Sequence, residues 1–205
     1  MSPPRVWTMR EIESNPAVFF LKATPFGSVA VIWSVRRHEP KAIRILLSRP
    51  GVSAEKAVKS FTPRARLSSC SEIEALASRI HAFLSGEDVP FSLGAVRLDL
   101  CSSFQQNVLR SEHAIPRGSV STYHLIAKHL GMAKGARAVG TALAHNPFPI
   151  VIPCHRAVRS DRCMGGYQGG IDMKRALLEN EGVPFDDAGR VVCERFYYDG
   201  NHLDA

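Results

Sequence analysis

Several absences narrow the class of this sequence. There is no CxxC pair, which excludes a zinc ribbon. No internal repeat and no low-complexity tract are visible, so solenoid and disordered architectures are excluded too. No apolar run follows residues 1–5, and a secretory signal is therefore not expected. The longest stretch without Asp, Glu, Lys or Arg, residues 138–155, is broken by Pro147, Pro149 and Pro153, so no spanning helix and no membrane partner are expected. Cysteine is scarce and odd in number: Cys70, Cys101, Cys154, Cys163 and Cys193 are well spread. Free thiols in a reducing compartment follow, cytoplasmic or, in a eukaryote, nuclear.

What is present is an ordinary globular composition over 205 residues, 45% apolar and 22% charged, enough for one large or two small domains. Basic residues outnumber acidic ones 26 to 19. The excess is uneven. Residues 110–175 hold ten basic and three acidic side chains, whereas residues 176–205 hold two and seven. Residues 1–97 hold fourteen and eight. A concentrated basic block suits a polyanion such as DNA, although a solvated basic face would have the same composition.

Residues 27–35 and 42–48 read as strands joined by a charged turn over 36–41 that contains Pro40, hence a hairpin. Apolar spacing predicts a helix over 71–85, opened by a Ser71/Glu74 capping box and stopped by Gly86. Val96, Leu98 and Leu100 alternate as in a strand. A boundary at 97/98 then separates an α/β N-terminal domain, 1–97, from a mostly α C-terminal domain, 98–205. In the latter, residues 104–110 read as a helix, 115–118 as a turn, and 122–130 and 136–145 as two helices joined by a glycine-containing turn. That pair is a helix-turn-helix candidate, with the spacing of any αα-hairpin. Residues 148–152 (FPIVI) read as a buried strand leading into Pro153-Cys154-His155-Arg156. A thiol beside an imidazole and a guanidinium is expected to have a lowered pKa and to be a reactive nucleophile. A buried structural cysteine is the alternative.

Ile152-Pro153-Cys154-His155-Arg156 resembles the active-site signature of the O6-alkylguanine-DNA alkyltransferase (methylated-DNA–protein-cysteine methyltransferase) family. Further matches are colinear over residues 98–183: Tyr123 in Val120-Ser121-Thr122-Tyr123, Arg137-Ala138-Val139-Gly140, Asn146-Pro147, Gly165, Tyr167, Gly169-Gly170, Leu177-Leu178 and Glu181-Gly182. The resemblance implies a ribonuclease-H-like N-terminal domain and a winged helix-turn-helix C-terminal domain. It implies a monomer that acts on double-stranded DNA containing O6-alkylguanine, and less on O4-alkylthymine, by one irreversible alkyl transfer to Cys154 after base flipping. No cofactor and no metal is implied.

The roles it implies are residue by residue. His155 deprotonates Cys154 through a water, and Glu181 orients His155. Asn146 ties the recognition helix to the active-site strand. Tyr123 protonates the leaving base and presses on phosphate. Arg137 fills the vacated stack, with Ala138 and Arg156 beside it at the DNA; Ser121 and Thr122 donate to phosphate or simply cap the helix. Ala157, Tyr167, Gln168 and Gly169 read the flipped base. Read without the resemblance, Glu181 is a surface carboxylate near a helix end. Two departures stand out: Leu109 replaces a usual aromatic, and Gln168 replaces a common serine. The second reading is a non-catalytic lesion-binding protein on the same scaffold, against which the presence of Cys154 argues.

Overall fold

A computed structural model describes residues 18–63 and 65–200 of the chain; residues 1–5, read above for an export signal, lie outside the described residues. Two compact units emerge, Met1–Ser102 with Pro147–Val151, and Ser103–Asn146 with Ile152–Ala205. The first unit thus runs past residue 97 and takes back a short segment from the second half of the chain.

In the first unit the order is β1 (Val18–Thr24), β2 (Gly27–Arg36), β3 (Glu39–Leu47), α1 (Ala54–Phe61), β4 (Arg66–Leu67) and α2 (Ser71–Leu84). The sheet order is β3-β2-β1-β4. β1, β2 and β3 form an antiparallel meander, and β4 joins β1 in parallel. Five successive residues of β2, Val29 to Trp33, are buried, which requires cover on both faces of the sheet. Ala30 and Ile32 pack with Ala54 and Val58 of α1 on one of them.

The hairpin between β2 and β3 is tighter than its charged stretch suggests. Only Arg37 and His38 turn, at φ 51° and 66°, the two left-handed residues of a type I′ turn. Pro40 sits inside β3 opposite Val35, tolerated because β3 is an edge strand. α2 buries Ile73, Leu76, Ala77, Ile80, Phe83 and Leu84, each worth roughly 1.5–3 kcal/mol for the larger side chains. The expected capping box does not form. Cys70 is the N-cap, Ser71 is already helical, and Glu74 accepts from Ser69 Oγ at 2.6 Å. The expected strand around Val96 is likewise replaced by two 3-10 turns, Leu93–Ala95 and Leu98–Leu100. Val96 and Leu98 are still buried, and Arg97 between them donates its backbone N–H to Ala42 O at 2.8 Å. The alternation therefore reports burial of a non-strand segment.

The second unit contains α3 (Ser103–His113), β5 (Ser121–Thr122), α4 (Tyr123–His129), α5 (Ala136–Ala144), β6 (Ala157–Val158) and α6 (Ile171–Asn180). α4 starts at the Thr122 N-cap, whose Oγ1 accepts from Leu125 N at 3.1 Å. α3 packs against both α4 and α5. Gln105 Nε2 donates to the Ala142 and His145 carbonyls, closing the C-terminal end of α5. β5 and β6 pair in parallel over two residues each. Val120, Val158, Leu178, Val183 and Val191 form a core beside them.

Residues 148–152 do not form the strand their composition predicts. They are buried but irregular, and Ile150 holds φ 75°. A β-branched residue in that region is strained by about 1–3 kcal/mol, which its full burial holds in place. Among the described residues, no helix is long and apolar enough to cross a membrane.

Candidate active site

Pro153 at φ −79°, ψ 59° turns the chain sharply, and Cys154 N donates back to Ile152 O at 2.8 Å. The 3-10 turn Cys154–Arg156 follows, packed between α3 and α6. Cys154 is 5% exposed. Asn146, just past the end of α5, is fully buried and donates Nδ2 to Ile152 O at 3.0 Å and to Cys154 Sγ at 3.2 Å. Its own carbonyl accepts from Gln168 Nε2 at 2.7 Å. One asparagine thus binds the helix end, the turn before the thiol, the thiol itself and the loop around Gln168.

Glu181 is no surface carboxylate. It caps α6 at 7% exposure and accepts three side-chain hydrogen bonds. His155 Nε2 and Arg156 Nη2 share Oε1 at 2.9 and 2.8 Å, and Arg156 Nε meets Oε2 at 2.8 Å. Burial alone would raise the Glu181 carboxyl, but the His155 charge and the hydrogen bonds of His155 and Arg156 outweigh it and hold it at about 2. Burial lowers the His155 pKa against the pull of Glu181, so the imidazole is neutral near pH 7. With Nε2–H donated to Glu181, Nδ1 is the basic nitrogen.

The thiol differs from the sequence expectation. Burial pushes Cys154 up to about 12, while the Asn146 hydrogen bond lowers it. Arg156, which was to have helped, turns its guanidinium away to Glu181 and to Ile115 O at 2.6 Å. Cys154 is therefore a thiol that needs a base. Arg156 is also corrected as a DNA contact, being a buried strut at 8% exposure. Of the two readings of the Ser121 and Thr122 hydroxyls, phosphate donors or helix cap, Thr122 takes the cap. Ser121 Oγ is buried and donates to Tyr197 O at 2.6 Å, and Thr122 is buried at its helix cap.

Of the other expected residues, Arg137 is exposed at the start of α5 and Ala138 is half-buried beside it. Tyr123, half-buried at the start of α4, has its phenol raised to about 12 by burial, with the Cys154 and Glu112 charges adding. Tyr167 stands edge-on to His155, ring centroids 6.2 Å apart, with its hydroxyl buried and without a hydrogen-bond partner among the described residues. Two glycines of this loop sit against neighbouring side chains, and Gly165 also holds a left-handed backbone. A Cβ on Gly165, at φ 71°, would lie 2.9 Å from Tyr123 Oη, and one on Gly169 would lie 2.2 Å from Met173 Sδ. Ala157 is fully buried, and its carbonyl accepts from Lys174 Nζ at 2.6 Å.

Two residues were missed. Lys174 on α6 and Glu112 on α3 are fully buried. The signal was available: Lys174 shares a face with Leu177 and Leu178, and Glu112 shares one with Val108 and Leu109, so each is a charge in an apolar stripe at i, i+3, i+4 spacing.

Comparison with known proteins agrees with this geometry. Residues 103–183 match the model of the 6-O-methylguanine DNA methyltransferase DNA-binding domain. A methylated-DNA–protein-cysteine methyltransferase of Methanothermobacter thermautotrophicus is 45% identical over 114 residues, 56% of this chain and 64% of that protein. The chain therefore matches just under two thirds of that curated relative's length. The crystal structure of Mycobacterium tuberculosis O6-methylguanine methyltransferase superposes with a TM-score of 0.64 at 28% identity, over 83% of this chain and 96% of that one. The structure of Mycobacterium tuberculosis OGT in complex with DNA gives 0.62 at 28% identity, over 80% and 92%. These neighbours share the mixed α/β architecture described above. Over residues 103–183 the chain is similar to the methylated-DNA–protein-cysteine methyltransferases.

Proposed function

We propose that the protein repairs DNA by transferring the alkyl group of O6-alkylguanine in duplex DNA irreversibly to Cys154. The observation that carries this reading is the buried Cys154 thiol, held by Asn146 and followed by the His155–Glu181–Arg156 cluster. His155 Nδ1 takes the thiol proton through a water, and Glu181 keeps the imidazole oriented and stabilises its cation. The thiolate attacks the alkyl carbon; the S–C bond forms as the C–O6 bond breaks. The guanine leaves with a proton from Tyr123, whose raised phenol pKa keeps that proton in place. The product thioether is stable, so each molecule acts once.

The target base is flipped out of the duplex, at a cost of a few kcal/mol, and read by the loop of Tyr167, Gln168 and Gly169. Arg137 and Ala138 of α5 face the DNA, with Arg137 in the vacated stack. The α4–turn–α5 hairpin with the β5–β6 pair supports a winged helix-turn-helix. The antiparallel meander with β4 returning parallel to β1 supports a ribonuclease-H-like first domain in a supporting role. The protein works as a monomer in the cytoplasm, or in the nucleus of a eukaryote.

The test uses an oligonucleotide carrying labelled O6-methylguanine. One methyl per protein on Cys154, absent in Cys154→Ala, is the expected result. Tight lesion binding without transfer favours the non-catalytic reading, and repeated turnover overturns the one-shot mechanism.

A further inference from the structure

Gln168 stands where a serine is common, and its side chain makes a contact that a serine could not. Its Nε2 donates to Asn146 O at 2.7 Å, the one side-chain hydrogen bond of Gln168 among the described residues. A serine hydroxyl would stop two bonds short of that nitrogen. Asn146 in turn donates Nδ2 to Cys154 Sγ at 3.2 Å. Tyr167, the preceding residue, stands edge-on to His155. The Tyr167-Gln168 pair therefore straddles the thiol, with one side chain against the residue that follows Cys154 and the other on the residue that hydrogen-bonds it.

The backbone around this pair is built to move. Gly165-Gly166 precede it and Gly169-Gly170 follow it. Gly165 and Gly170 hold φ 71° and 94°, and a Cβ on Gly166 would meet nothing within 4 Å. The segment is fixed at its two ends, where Met164 O accepts from Lys174 Nζ at 2.5 Å and Gly170 is the N-cap of α6. Between those ends the Tyr167 hydroxyl is buried without a hydrogen-bond partner among the described residues, so the polar tie from the pair to the thiol's surroundings is the Gln168 amide. Cys154 is 5% exposed, and Asn146, His155 and Ala157 around it are fully buried. Close-packed groups yield little. Room for an alkyl group larger than methyl comes from the glycine-flanked pair.

We propose that Gln168 is a specificity-determining latch that favours small alkyl groups over bulky ones. With the latch closed, the amide holds Tyr167-Gln168 to the end of α5 and the site takes a methyl group. A benzyl group enters after the amide–carbonyl bond breaks, and the net worth of one such neutral bond sets a discrimination of about 2–10-fold. Gln168 takes no part in the proton transfer or in forming the S–C bond; it is a positioning residue that acts through the loop. The inference rests on Cys154 as the alkyl acceptor.

Two pairs of rates test it. One pair is Cys154 alkylation by iodoacetamide and by N-benzyliodoacetamide, mapped to its peptide by mass spectrometry. The other is single-turnover transfer from oligonucleotides carrying O6-methylguanine or O6-benzylguanine. The variants are Gln168→Ser, which is too short for the bond, and Gln168→Glu, which keeps the length but faces the Asn146 carbonyl with a carboxylate that cannot donate. In both variants the bulky-to-small ratio is expected to rise about 2–10-fold over wild type, with the reagents and with DNA. Unchanged ratios overturn the latch. A rise in Gln168→Ser alone overturns it too, because lost volume and not the lost bond then explains the effect. Wild-type protein that iodoacetamide labels at Cys154 but that accepts neither alkyl group from DNA overturns the repair reading, and the reagent ratio then decides the latch by itself.

Discussion

Asn146 ties the turn before the thiol to the thiol itself through one side chain. Its Nδ2 meets both Ile152 O and Cys154 Sγ. Asn146→Ala removes a hydrogen bond to the developing thiolate and one of the two that the buried Ile152 carbonyl accepts. A loss of about 10–100-fold in the single-turnover transfer rate is expected, from roughly 1–3 kcal/mol, with DNA binding intact by gel shift. Glu181 is the counter-charge of the buried Arg156 and of the imidazolium that His155 becomes when it takes the thiol proton. Its Glu181→Ala variant strands the buried His155 and Arg156, and a loss of about 3–5 kcal/mol in urea unfolding is expected. The same carboxyl makes stability acid-sensitive. Its folded pKa, about 2, lies below the unfolded value of 4.5, so its contribution is complete above pH 4.5 and disappears as the pH falls through 2. Acid titration of Glu181→Gln should lack that part of the transition. The sequence placed Cys154, His155 and Asn146 by motif alone. It could not give the thiol its raised pKa, because burial, and not the two neighbouring cations, dominates there.

At the level of elements, the helices of the second unit were legible and their partners were not. Apolar spacing gave α4 and α5 to within a residue or two, since each buries one stripe and ends at a defined cap. The segments 96–100 and 148–152 were read as strands because alternation and apolar runs report burial, and here irregular backbone is buried. The hydroxyls of Ser121 and Thr122 precede a helix and so suited either phosphate or a cap; packing turns both inward, Thr122 as the cap. The loop before α6 has little spare room. Gly169→Ala places a methyl against Met173 and Tyr167, and a loss of about 1–3 kcal/mol and slower transfer are expected from thermal melting and kinetics. Exposed Arg137 is a clean probe of DNA contact. Arg137→Ala is expected to weaken binding to lesion DNA while leaving iodoacetamide reactivity at Cys154 unchanged. Fluorescence anisotropy across a salt series checks it, with the slope falling by about one if the guanidinium sits on phosphate.

For the molecule as a whole, composition left one or two domains open and motif placement favoured two with a boundary at 97/98, while the path of the chain through residues 147–151 was not legible. Residues 147–151 carry no charge and no glycine, and nothing in them signals that they belong with residues 1–102. Ile45 N donates to Pro147 O at 2.8 Å, and Phe148, Ile150 and Val151 are buried to within 1%. The same five residues lie between Asn146 and Ile152 in the chain. A fragment 103–205, containing every residue of the proposed chemistry, would expose this apolar segment and release the strained Ile150. It is expected to be poorly soluble or to melt well below the intact protein, with Cys154 alkylation by iodoacetamide no longer slow. Circular dichroism and the iodoacetamide rate check this. The strand-free excursion also bears on how such proteins can diverge. Because one unit borrows a piece of the other's chain, the two halves are not interchangeable cassettes. A recombinant joining the first half of one relative to the second half of another inherits a five-residue graft fitted to a core it no longer has, so the two halves are constrained to change together.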